Sequence, residues 1–118
     1  MRKMLAFYLS IFLYSQAANA DIDCVGNVVG LSLQMTTTGV VTVSLAGGPT
    51  AVYLCAVDGG AYNGVSPEVC KAMYSTLMAA KLSNKKMLIR FSGNYASCSS
   101  IPSWAAAPMH GWTSVLTD

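Results

Sequence analysis

The sequence predicts a small α+β domain, mainly β, and three features of it carry that expectation. Runs in which apolar and polar residues alternate fill much of the first half and return after residue 86. A single run with helical spacing lies between them, and all four cysteines fall beyond the first twenty residues. Period-two alternation points to strands, the 3.6-residue period to a helix, and an even cysteine count to two covalent staples.

The chain opens with Arg2 and Lys3, continues with an apolar run from Met4 to Tyr14, and reaches small residues at Ala18-Asn19-Ala20. That order is the one a cleavable secretory signal uses, so residues 1–20 are expected to be removed after Ala20. An uncleaved anchor is the alternative. The apolar run falls well short of the roughly twenty residues that a membrane-spanning helix needs. Residues 21–118 are then a single domain, with no membrane span after cleavage.

Beyond the leader, Leu31, Leu33 and Met35 alternate with Ser32 and Gln34 in a first strand that starts near Val25 and bends at Gly26 or Gly30. Thr36 to Gly39 make a turn, and Val40 to Leu45 form a second, β-branched strand. After Ala46-Gly47-Gly48-Pro49, Ala51 to Val57 supply a third. Gly59, Gly60 and Gly64 mark a loop. Ser66-Pro67-Glu68 then combine an N-cap hydroxyl, a proline suited to the first helical position and a carboxylate at the positive end of the dipole. In the helix that follows, Val69, Met73, Leu77 and Ala80 make the packing stripe, with Cys70 beside it, and Ser83-Asn84 end the run. Met87, Ile89 and Phe91 give a fourth strand one apolar face. Gly93 to Gly111 read as loop, and Trp112 to Leu116 as a short fifth strand. The order strand, strand, strand, helix, strand, strand is that of the oligonucleotide/oligosaccharide-binding (OB) fold, a five-stranded Greek-key barrel, although other small α+β domains share it.

Three pairings of the four cysteines can be written. Cys55 at the end of the third strand and Cys70 in the first helical turn are suitably placed for each other, which leaves Cys24 for Cys98. Such bridges imply an oxidising destination, the periplasm or the medium. No CxxC pair occurs and His110 is the sole histidine, so neither a metal nor any other cofactor is expected.

Without the leader, Lys71, Lys81, Lys85, Lys86 and Arg90 balance Asp21, Asp23, Asp58, Glu68 and Asp118. A net charge near zero argues against a nucleic-acid partner and favours close protein contacts, including self-association. Catalysis is not expected, since scattered acids and one histidine offer no positioned acid–base pair and no nucleophile motif. Aromatic residues in loops are the better candidates: Tyr62 in the glycine-rich loop, Tyr95 and Trp104 in the long one. His110 is grouped with them as a fourth possible ligand contact. Flat rings with polar tips stack on sugar faces or anchor protein contacts. They also fill cores. That second role is the one adopted for Trp112, and for Trp104 both remain open.

Tyr53-Leu54-Cys55, the glycine-rich gap, Cys70 at a helix start, Tyr74-Ser75-Thr76-Leu77 and Met87-Leu88-Ile89-Arg90-Phe91 together resemble the B subunits of subtilase-type and pertussis-like bacterial toxins. The stretch from Ser66 to Lys86 also resembles the core of a group of short exported bacterial proteins of unassigned role. The toxin resemblance covers about forty residues and implies an OB barrel, a ring of five copies and a grip on sialylated or related host glycans. This chain is shorter and shows no counterpart of their sugar-contact segment, so no sugar ligand is carried over. The expectation is a non-enzymatic exported binding module, recognising a glycan or a protein surface. Its rival is a monomeric structural or inhibitory protein of the envelope.

Overall fold

The structure, a computed structural model, describes residues 21–35 and 37–114, with side chains described as far as Met109. The expected leader and the end of the expected last strand, residues 115 and 116, lie outside the described residues.

The first strand, β1 (Asp21–Gln34), begins four residues before the expected start near Val25. The reason is its partners. Residues 21–27 pair antiparallel with β4 (Lys86–Ser92), whereas residues 28–34 pair antiparallel with β2 (Val40–Leu45). The register slips between Val28 and Gly30, and a bulge there is what lets one strand serve two neighbours at different angles. Gly26 meets a second constraint: any Cβ at that position would run into the carbonyl oxygen of Ala46, whose N–H donates to the Asn27 carbonyl at 2.9 Å. Backbone crosses backbone there, and only glycine fits.

The other edge of β2 pairs antiparallel with β3 (Val52–Ala56), giving the order β3-β2-β1-β4. The backbone of β5 (Met109–Ser114) runs along the outer edge of β4. This strand starts three residues earlier than the sequence pattern indicated, so His110 and Gly111 belong to a paired strand rather than to the preceding loop. Just before it, Ala106 forms a parallel bridge with Tyr53, and the Tyr53 N–H donates to Ala105 O at 3.0 Å.

Helix α1 (Pro67–Ser83) lies between β3 and β4 in the chain and packs against β1, β3 and β4. The Ser66 hydroxyl accepts from Val69 N at its start. At its end Asn84 is left-handed (φ 55°), and the N–H groups of Asn84 and Lys85 donate to Lys81 O and Ala80 O, the paired bonds of a Schellman cap. Asn27 of β1 holds the same end, its amide donating to Asn84 Oδ1 at 2.8 Å. The buried stripe is Cys70, Met73, Leu77 and Ala80. Val69, expected in it, is 46% exposed. A bridge to Cys55 turns Cys70 inward and its neighbour out.

Two disulfides are present, Cys24–Cys98 and Cys55–Cys70. Leu54, Met73, Leu77, Met87, Ile89 and Phe91 fill the space between helix and strands, so the alternating face of β4 is the core face. Among the described residues, no helix is long and apolar enough to cross a membrane.

Candidate binding face

Directly opposed residues in an antiparallel pair point to the same side of the sheet. Two of the four cross-strand rows that span β1, β2 and β3 face inward. Leu31, Val43 and Val52 share one, and Leu33, Val41 and Cys55 share the next. Between them runs the row Ser32–Thr42–Tyr53, which lies on the opposite side, with Gly30 opposite Ser44 to one side and the row Gln34–Val40–Ala56 to the other. That side of β1, β2 and β3 therefore carries hydroxyls, one amide, one phenol ring and the apolar Val40 and Ala56, of which Thr42, Val40 and Ala56 are buried.

Trp104 joins this face from the long β4–β5 segment. Its ring lies edge-on to Tyr53, with centroids 6.4 Å apart and planes at 72°, an attractive arrangement of ring edge and ring face. It is 65% exposed. The core role considered for it is therefore overturned. What holds it out is backbone: Trp104 N donates to Ala51 O at 2.7 Å, and both residues are left-handed, with φ of 58° and 51°. A non-glycine residue in that region costs about 1–3 kcal/mol, so the surrounding structure must enforce it. The enforcing contacts are visible. Ile101 is buried, Cys98 is bridged to Cys24, and Asn63 donates from Nδ2 to Leu54 O at 3.1 Å and to Ala107 O at 2.7 Å. The Trp104 loop is thus fastened on both sides of the ring it presents.

Thr42 adds a polar irregularity to the same face. It is only 4% exposed, and its Oγ1 finds no hydrogen-bond partner among the described residues. An enclosed hydroxyl left without a partner costs about 1–3 kcal/mol, which marks the position as unusual.

The other expected contact residues fare differently. Tyr62 is half-buried in the β3–α1 loop, where its backbone exchanges hydrogen bonds with Val65. Its neighbour Asn63, rather than the ring, ties that loop to β3 and Ala107. Tyr95 is half-buried against the core, its ring lying where a side chain on Gly93 would be. It packs instead of standing free, because the Cys24–Cys98 bridge draws this part of the loop down onto β1. His110 sits in β5 and Trp112 lies opposite Ile89, but both side chains fall outside the described residues. Ser32, Thr42 and Tyr53 were not singled out from the sequence. The polar half of the alternation in β1 and β2 was their only signal.

The charge distribution sets this face apart. From Val25 to Val57, and again from Ser92 to Met109, the sequence contains no Asp, Glu, Lys, Arg or His. Those two stretches supply β2, β3, most of β1 and the Trp104 loop. Charge is concentrated elsewhere, as in the exposed Arg90–Asp23 pair that joins β4 to the start of β1, with Nε–Oδ1 at 2.6 Å and Nη2–Oδ2 at 3.0 Å. The Arg90 hydrogen bond holds the Asp23 carboxyl below its usual range, and the same contact raises Arg90. No cluster of three metal-binding side chains occurs among the described residues. No protein-family model, curated protein or solved structure matches the chain.

Proposed function

We propose that this chain is a non-catalytic exported binding module, a small OB-like five-stranded barrel that recognises a glycan on the outer face of β1–β3. The barrel reading is supported by the division of β1 between two partners and by the helix between the third and fourth strands. The parallel bridge from Tyr53 to Ala106, at the point where a barrel would close, supports it as well. In barrels of this type the second and third strands and the loop after the fourth form the customary binding surface. That is where Trp104 stands.

One observation carries the functional reading: Trp104 is exposed, edge-on to Tyr53, in a left-handed backbone that other contacts must enforce. A large apolar ring kept out of the core in a strained conformation is a feature of recognition surfaces. Its fixed loop also reduces the entropy lost when a ligand is bound. Two disulfides support a destination in the periplasm or the medium. Assembly into a ring, as toxin B subunits assemble, belongs to the same reading, and the exposed Val25 and Val29 on β1 are apolar surface available for it.

Native mass spectrometry of the oxidised protein, with and without a glycan mixture, tests the proposal. Glycan adducts that disappear in Trp104→Ala, with the fold intact, are expected. A monomer that no glycan shifts would reject it in favour of the envelope structural or inhibitory protein.

A further inference from the structure

We infer that the ligand of this face is a neutral carbohydrate, an uncharged pyranose stacked on Trp104, and not a sialylated or otherwise acidic glycan. The inference rests on the glycan-binding reading above and narrows it to one chemical class. A carboxylate or sulfate moved from water onto a protein surface must regain strong donors, a guanidinium, an ammonium or converging N–H groups, or its desolvation is uncompensated. The two stretches that build this face contain no Arg, Lys or His. Arg90 is engaged with Asp23 where β4 meets the beginning of β1, beyond the part of β1 that pairs with β2.

What the face does offer matches an uncharged sugar. A pyranose presents one side rich in weakly positive C–H bonds, which the electron-rich face of an indole attracts. Around its rim it presents hydroxyls that both donate and accept. Ser32, Ser44 and Tyr53 carry hydroxyls of the same dual character, and Gln34 adds an amide, all on the side of the sheet where Trp104 meets Tyr53. The Thr42 hydroxyl is enclosed beneath this row, so the exposed Ser32 and the Tyr53 ring are what the row presents to a sugar.

The test is a panel of paired oligosaccharides, each neutral member beside its sialylated and sulfated counterparts, measured by titration calorimetry at 50 and 500 mM salt. Binding is expected among the neutral members, with no gain from the added acid. Affinity should be unchanged by salt, because no ion pair is formed to be screened. Trp104→Ala should weaken binding roughly thirtyfold, as truncating a central aromatic contact does. Ser32→Ala removes an exposed hydroxyl from the row, and should weaken binding about fivefold without lowering the melting temperature. Sialylated glycans binding where their neutral parents do not, an affinity that falls steeply with salt, or a Ser32→Ala protein with unaltered affinity would each overturn the inference while leaving a glycan-binding module standing. Failure of every glycan would instead remove the functional reading beneath it.

Discussion

Replacing Cys24 and Cys98 together with alanine tests how the Trp104 loop is held. The bridge spans 74 residues of sequence, and fixing so long a loop removes much of the freedom of the unfolded chain. In the chain-entropy treatment the effect is about 15 cal/mol/K, or about 4.5 kcal/mol at 25 °C, compared with about 3 kcal/mol for the 15-residue Cys55–Cys70 loop. Cys24 is completely buried in β1 opposite Ile89, so its truncation adds a small packing loss. A domain of this size has a total stability of about 5–15 kcal/mol, which leaves the variant folded but marginal. Urea unfolding followed by tryptophan fluorescence gives the difference, and the slope should rise because the uncrosslinked chain exposes more surface. A loss of less than about 1.5 kcal/mol would refute the reasoning, since the loop would then be held by its other contacts alone. The protease-sensitive site that appears first should lie between Gly93 and Pro108, whereas loss of the Cys55–Cys70 bridge should loosen the start of α1.

Three further outcomes follow from the packing and charge. Gly48→Ala should destabilise by about 2–4 kcal/mol in thermal unfolding, because φ is 95° there and an added Cβ would come within 2.6 Å of Ser99 backbone. Leu77→Ala should cost about 2–5 kcal/mol by the same measurement, since Leu77 is completely buried between α1 and the strands. Asp23→Asn concerns pH. The folded carboxyl is held below its ordinary value by Arg90, so the unfolded chain takes up this proton first as pH falls. The stability from the pair is whole above the ordinary carboxylate range and disappears as pH drops through the lowered value. Stability measured from pH 7 to pH 2 should therefore fall less in Asp23→Asn than in the wild type, and high salt should shrink the difference because both partners are exposed. Parallel pH profiles would count against the pair.

Local signals were the legible ones. Ser66-Pro67-Glu68 and Asn84 bound α1 because capping needs only the residues beside it, and Met87, Ile89 and Phe91 mark the core face of β4 by alternation alone. Features that depend on distant partners were not readable in the same way. β1 reaches back to Asp21 only because β4 pairs with it, and β5 begins at Met109 through pairing with Phe91, in a stretch whose prolines and serines suggest loop. The half-burial of Tyr95 follows from a disulfide 74 residues long. The exposure of Trp104 depends on a hydrogen bond from its backbone to Ala51, which nothing in its neighbours foretells. Ser32, Thr42 and Tyr53 form a row through register, and register becomes visible only when three strands lie side by side.

The most direct measurement is a backbone and indole N–H NMR map of the oxidised protein titrated with the neutral oligosaccharide panel. Shifts gathered at Ser32, Thr42, Tyr53 and the Trp104 indole, with α1 and the Asp23–Arg90 region undisturbed, are the predicted result. Shifts that cluster on α1 or around Arg90, or a spectrum that no carbohydrate alters, would contradict recognition at this face.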